Sequence, residues 1–346
     1  ASGAASRGGG LPEPPMPPPP AAWPAGFTLA VSAFRSLLRY FPEPLAESSG
    51  VSQGLLQPIA NNVGFPSLVL PRGVSVKAGS VQGVRGEWLL PASSKTSSAG
   101  EVDVEGVLRE GAAGRLLVWV HGGGFAYCSP GTHRLFLAEV ASRSSVPVFC
   151  VDYRKPPGAP FPKPVEDVVD AFRGLGERNG DARLFLGGDS AGGNLAIAAA
   201  KALAREPEVR PRLLPKGLLL LSPWVDLSDT SDPSWESAAD YIPANLAQVV
   251  AKQYAGELPL DDERLSPALS EDWRGFPPVL LDYGGEERFR SQIERLERAM
   301  LRGGVKVDAK VEDGQVHGYP LWKFAWGWGP GPFASYFDRV AAFLRG

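Results

Sequence analysis

The sequence predicts an α/β fold: a mostly parallel central sheet with helices on both faces, and a helical cap supplied by the N-terminal region and by an insertion. Three observations carry this prediction. Short, continuously apolar runs alternate with segments of helical periodicity, the pattern of strands that helices cover on both sides. The alternation stops once, between residues 226 and 272, where loops surround one or two helices. The 346 residues, 44% of them apolar and 10% aromatic, are enough to bury a sizeable core.

Taken in order, residues 1–25 combine Gly, Ala and Pro with almost nothing that packs, and read as a disordered or polyproline arm. A single domain follows over 26–346, with cap segments near 26–60 and 226–272. Phe27, Leu29, Val31, Phe34, Leu37, Leu38 and Phe41 fall mostly at helical spacing, interrupted by Arg35 and Arg39, and predict an amphipathic helix over 26–41. It is too short and too charged to span a bilayer, which takes about 20 mainly apolar residues. A lid helix packed on the body is the simpler reading, and peripheral membrane contact is the other. Strands are predicted over VSVKAGSV (74–81) and GEWLLP (86–91), and the polar interval 92–114 reads as a hairpin loop with an insertion before RLLVWV. Beyond it come VPVFCVDY (146–153), a helix near 164–177, RLFLGG (183–188), a helix near 192–205 and GLLLLSPW (217–224). After the cap insertion follow PPVLLDY (277–283), a helix near 289–302, VKVDAKV (305–311) and a closing helix near 332–345.

A formal charge of -3 without any run of Lys or Arg offers no field to attract phosphate backbones, so nucleic acid is not expected as a partner. Cys128 and Cys150 are too few for a disulfide framework, and two reduced thiols are the simpler reading. Three His and two Cys give no metal-ligand spacing, and no metal is expected.

Two glycine-rich stretches carry the chemistry. Gly188-Asp189-Ser190-Ala191-Gly192 is a G-x-S-x-G match between a predicted strand and a predicted helix, the setting of a nucleophile elbow. Flanking glycines permit the sharp turn, and Ser190 is lifted to the helix N-terminus. HGGGF (121–125) follows another strand. A carbonyl attacked by a serine becomes an oxyanion, which preoriented backbone N–H groups stabilise. Gly123, Gly124 and Ala191 are the expected donors, with Gly122 shaping the turn.

In this order HGGGF, VDYR, FPKPVEDV, GDSAGGNLA, SPWVDL and HGYP resemble the hormone-sensitive lipase-like branch of the α/β-hydrolases, over residues 70–346. The resemblance implies hydrolysis of carboxylic esters by a serine, an acid and a histidine, without a cofactor. His317 follows the last strand and comes after Ser190, as the order of this fold requires, and is the expected base. His121 belongs to the glycine loop and braces it, and His133 is placed in the loop beyond. The acid is less sharply defined. Where the family has an aspartate after the strand, this chain reads VLLDYGGEERFRSQ; Glu287 takes the aspartate's place, Glu286 stands one residue early, and Asp282 lies within the strand, where burial is costly. The family's DYRLAPE appears as DYRKPPG, with Asp152 and Arg154 expected to form a structural ion pair. Asp226 and Asp313 are read as loop-orienting groups, and Asp189 as a hydrogen-bond acceptor behind the elbow.

Aromatics gather near these motifs: Phe125, Tyr127, Trp224, Tyr241, Tyr319, Trp322, Trp326 and Trp328. Phe125, Trp224 and Tyr319 are the expected lining of a pocket for an apolar acyl or alcohol group. The expected partner is a small ester, acetyl esters first; pairing of two chains is left open. Lactones, sterol esters or natural products handled by the same residues, as hydrolase or lyase, form one alternative, and a receptor that keeps the pocket without catalysis forms another. A cytoplasmic location is favoured, with an upstream signal or anchor left open because the chain does not begin with Met.

Overall fold

Strands made of unbroken apolar runs have no face to offer to water, so they must lie inside a sheet covered on both sides. The computed structural model describes residues 20, 22–39, 70–92, 94, 102–110, 114–178, 182–205, 213–229, 234–323 and 331–346. Most of the N-terminal arm, Phe41, Trp326 and Trp328 lie outside these residues. Eight strands form one sheet: β1 (Val74–Val81), β2 (Val84–Pro91), β3 (Arg115–Val120), β4 (Val148–Val151), β5 (Arg183–Asp189), β6 (Leu218–Leu221), β7 (Val279–Gly284) and β8 (Val307–Glu312). Their order is β1-β2-β4-β3-β5-β6-β7-β8. Only β1 with β2 and β2 with β4 are antiparallel; the other pairings are parallel.

The helices are α1 (Ala25–Arg39), α2 (Val104–Glu110), α3 (Pro130–Ser144), α4 (Lys163–Arg178), α5 (Ala191–Arg205), α6 (Ser234–Ser237), α7 (Ala244–Ala255), α8 (Arg290–Arg302) and α9 (Phe333–Arg345). Because successive side chains on a strand point to opposite faces, the sheet sorts the core into two layers. Leu116, Val118 and Val120 share one layer with α4, α5 and α8; Leu117, Trp119 and Phe185 share the other with α3 and α9.

Four expectations need correction. The interval after β2 is no hairpin: β2 pairs with β4, and β3 lies beyond β4, so the chain passes through α2 to reach a strand that β2 does not touch. Helix α3 was not expected at all, and it carries His133 on a helix rather than in a loop. Its buried residues include the unbroken run Leu135–Ala138, so no polar stripe marks it, as befits a helix clasped between the sheet and α9. The signal that was available is local: Pro130 stands at the first helical position, and the Ser129 amide donates to the Thr132 hydroxyl at 3.3 Å. Asp152 and Arg154 do not pair with each other. Asp152 takes Lys155 at 2.9 Å, and Arg154 takes Asp167 at 2.7 Å, because α4 brings its own carboxylate to the loop after β4.

The N-terminal helix is the fourth. It buries Phe27, Val31 and Arg35, spaced by four, and leaves Leu29 71% exposed. Arg35, read as an interruption of the apolar face, therefore lies on the buried face, where its guanidinium donates to the Asp240 carbonyl at 2.9 Å. Phe27 and Val31 pack with Trp23, Ala239 and Val316, against Tyr241 and Trp322.

Candidate active site

β5 ends at Asp189 and α5 begins at Ala191, so Ser190 alone makes the turn, at φ 54. A side chain pays for this left-handed conformation, and neighbouring bonds must hold it. The Ser190 amide donates to the Leu221 carbonyl at 3.0 Å, and the Ser190 carbonyl accepts the Trp224 amide at 3.0 Å and the Asn194 amide at 3.2 Å. The end of β6 and the loop after it thus clamp the serine from both sides. Gly192 makes the turn compact: a Cβ there would overlap the Val120 carbonyl, so α5 starts almost in contact with the end of β3.

At that end of β3 lies the glycine loop, with Gly123 at φ 110, Gly124 at φ 59 and Phe125 at φ 66. Asp189 ties it to the elbow. Its carboxylate accepts the Gly122 amide and the Trp119 indole N–H, each at 3.1 Å, and meets His133 Nε2 at 3.1 Å. His133 Nδ1 lies 2.8 Å from the Thr132 hydroxyl. A Cβ built at Gly122 would come within 3.0 Å of Ser190 Cβ, a measure of how closely the loop approaches the serine. His121 is fully buried and stacks on Tyr153 with ring centres 4.5 Å apart. Burial, then the Lys155 charge, holds its pKa well below the ordinary histidine range, so the neutral ring donates from Nδ1 to the Gly122 carbonyl at 2.8 Å. The bracing role expected of His121 is what the bonds describe.

Glu287 follows β7 and His317 follows β8. His317 Nδ1 lies 3.0 Å from Glu287 Oε2, and Glu287 Oε1 accepts the Gly284 amide at 3.2 Å. Both side chains are buried. Burial opposes charge on the imidazole, but the Glu287 carboxylate, helped by Asp240 and Asp189, outweighs it and raises the His317 pKa. Burial raises the Glu287 pKa as well, so the two groups titrate as a coupled pair. The other two carboxylates considered for this place do not meet His317. Asp282 points to the α9 face of the sheet, where Arg339 lies 2.5 Å away. Glu286 is tied by its amide to the Gln315 carbonyl at 2.8 Å, and among the described residues its carboxylate makes no bond to His317. The Gly318 amide donates to the Ser222 hydroxyl at 3.0 Å, which joins the His317 loop to the loop that clamps Ser190. Ser190, Glu287 and His317 thus gather at the carboxyl ends of parallel strands, where α/β sheets place their ligands.

Phe125 stacks on Tyr254 of α7 with ring centres 3.8 Å apart and lies 5.5 Å from Trp224. Trp224 stacks on Phe289, whose ring meets His317 edge-on at 5.0 Å. Phe125 and Trp224 thus form part of an aromatic wall beside the serine and the histidine. Tyr319 does not join them. It packs with Phe333 and Tyr336 in the opposite layer, because the turn after Gly318 carries the chain across the sheet end toward α9. Asp226 accepts the Ser228 and Asp229 amides and pairs with Arg295 at 2.9 Å, as a loop-orienting carboxylate would. Three neighbours escaped the sequence reading, Ser222, Asp240 and Tyr254, and His133 reads from sequence as a loop residue rather than one on the helix that brings it to Asp189. Only His133 had a local signal, the helix start at Ser129-Pro130; the others reach the site through long-range contacts. Both cysteines are free.

Comparison with known proteins places this geometry. A family model described as alpha/beta hydrolase fold matches residues 117–321. An acetyl-hydrolase of Streptomyces hygroscopicus is 36% identical over 202 residues, covering 56% of this chain and 64% of the relative, so the match spans slightly under two thirds of that protein's length. An esterase of Acinetobacter venetianus is 31% identical over 228 residues, covering 64% of this chain and 73% of the relative. The solved structure of an esterase from the bacterial hormone-sensitive lipase family superposes with a TM-score of 0.74 at 26% identity, covering 93% of this chain and 98% of the other.

Proposed function

The chain belongs to the hormone-sensitive lipase-like branch of the α/β-hydrolases, and on that premise we propose that it is a serine carboxylic ester hydrolase working through an acyl-enzyme. Ser190 attacks the ester carbonyl as His317 takes its proton, and Glu287 holds the imidazole tautomer and stabilises the imidazolium. The amides of Gly123, Gly124 and Ala191 receive the oxyanion. Collapse of the tetrahedral intermediate expels the alcohol, which His317 protonates. Water, deprotonated by the same histidine, then attacks the acyl-serine and releases the acid.

The observation that carries this reading is the buried Glu287–His317 contact of 3.0 Å, joined through Ser222 to a serine strained at φ 54. Small esters with an acetyl or short apolar acyl group are the proposed substrates. The Phe125–Trp224–Phe289 wall supports an apolar group, and the relative named acetyl-hydrolase supports a short one. Helix α1 and the segment 226–272 are assigned to a cap over the site. Among the described residues no helix is long and apolar enough to cross a membrane.

The test is a series of p-nitrophenyl esters from acetate to decanoate. The wild type should turn over the shortest esters best and react with a fluorophosphonate probe. Ser190→Ala should lose kcat by more than about 10⁴-fold and resist the probe. Probe labelling at full strength in Ser190→Ala, or a wild type inert to every ester, would remove the proposal.

A further inference from the structure

We propose, building on the hydrolase reading, that Asp240 in the cap is a positioning residue for this reaction: a second buried carboxylate that aligns the Glu287 and His317 loops and ties them to the N-terminal helix. Asp240 is fully buried. One carboxylate oxygen accepts the Tyr241 amide at 2.8 Å and the His317 amide at 3.3 Å, and the other accepts the Arg288 amide at 3.0 Å. Arg288 is the residue after Glu287. One side chain therefore grips the main chain of the imidazole-bearing residue and that of the acid's immediate neighbour.

The grip extends outward. The Tyr241 hydroxyl donates to the His317 carbonyl at 3.2 Å, so residues 240 and 241 hold both main-chain polar groups of His317. Arg35 of α1 fixes the Asp240 carbonyl at 2.9 Å, and Phe34 of the same helix packs on Tyr241 with ring centres 5.2 Å apart. α1 thereby reaches the imidazole through two residues of the cap.

A buried carboxylate is costly unless its lone pairs are satisfied, and here three main-chain amides satisfy them. The charge itself also has a use. The carboxylates facing the imidazole come from three elements: Glu287 from the loop after β7, Asp240 from the cap and Asp189 from the elbow. The nearby cations are Arg35 of α1 and Arg288, whose guanidinium lies 5.7 Å from the Trp235 ring centre. Asp240 thus adds negative charge beside the imidazole at the moment it becomes imidazolium.

The experiment compares wild type, Asp240→Asn and Asp240→Glu on p-nitrophenyl acetate, with active sites counted by fluorophosphonate titration so that misfolded protein is excluded. Asn cannot serve three amide donors, because its NH2 must face at least one of them, and it carries no charge. Asp240→Asn should lose kcat by roughly 10- to 100-fold with KM changed less than about threefold, the scale of a small misalignment. Its acid limb in kcat/KM should move to lower pH. Asp240→Glu keeps the charge but displaces it, so it should lose kcat while its acid limb stays near that of the wild type. A structural role alone would lower the melting temperature and leave the acid limb in place in both variants. The proposal is overturned if kcat per active site stays within about twofold in either variant, or if Asp240→Asn leaves the acid limb unmoved. If Asp240→Asn is recovered only as aggregate, Asp240→Glu decides through kcat. A wild type without esterase activity would bring down the hydrolase reading and this inference together; an active wild type with unaffected variants brings down the inference alone.

Discussion

At the scale of single residues, backbone strain and buried charge are concentrated in a few side chains. Holding Ser190 at φ 54 costs on the order of 1–3 kcal/mol, and the clamp by Leu221 and Trp224 sustains it. The serine and the histidine were legible in the sequence because each sits in a local pattern that chemistry demands. The acid is less sharply legible: Glu287 is the first choice from its place after the strand, but Glu286 differs from it by one step on a loop, and the direction of a loop side chain depends on distant partners. The bond from Glu287 to His317 leads to an expected difference: Glu287→Gln should lower kcat by about 10³- to 10⁴-fold, while Glu286→Gln stays within a few-fold of wild type. The pH profile gives a second reading. In the proposed mechanism His317 must be neutral to take the serine proton, and its pKa is raised, so wild-type kcat/KM should fall as pH drops through a value above 6.5. With Glu287→Gln, burial prevails and any residual activity should lose its acid limb at lower pH. Equal loss in Glu286→Gln and Glu287→Gln would sink the assignment.

At the scale of elements, the site depends on how tightly a helix can start against the end of a strand. Gly192 is the contact point: Gly192→Ala would drive a methyl into the Val120 carbonyl and push α5 away from β3. The Ala191 amide would then part from the glycine loop. The expected outcome is a kcat loss of at least about 100-fold with a lower melting temperature, read by initial rates and calorimetry. An unchanged kcat would mean that the helix start can retreat without harm. Sequence periodicity found α4, α8 and α9 because each shows one face to water, and it found α5 although that helix exposes only Ala204 and Arg205 at its end. It missed α3, which is buried too evenly to show a stripe, and it misjudged α1, whose buried face includes an arginine that serves the cap.

At the scale of the whole molecule, the sheet separates two jobs onto its two faces and its carboxyl edge. The α3–α9 face holds a part-buried ion pair, Asp282 with Arg339, that makes no bond to Ser190, Glu287 or His317 among the described residues. Burial pushes the Asp282 carboxyl up to about 7 in spite of the guanidinium. In the unfolded chain it titrates near about 3.9, so the folded protein holds this proton more tightly. The stability from that proton is complete below about pH 4 and is lost as pH rises through about 7. Arg339→Met removes the cation and raises the folded value further, so the variant should lose more stability at pH 8 than at pH 5, by up to about 1.4 kcal/mol for the one pH unit above 7. Urea unfolding at the two pH values reads the difference, and a loss independent of pH would refute it. Apolar alternation pointed from sequence alone to a parallel sheet, and the G-x-S-x-G turn and the triple glycine marked a sharp serine turn and a tight loop, because those features rest on contacts between near neighbours. The contact that favours Glu287 over Glu286, the places of Phe289 and Tyr254 in the aromatic wall and the face that Tyr319 joins were decided only by the tertiary structure. Those outcomes depend on residues such as Ser222, Asp240 and Tyr254, brought together by strands far apart in the chain, and no local pattern records such a meeting.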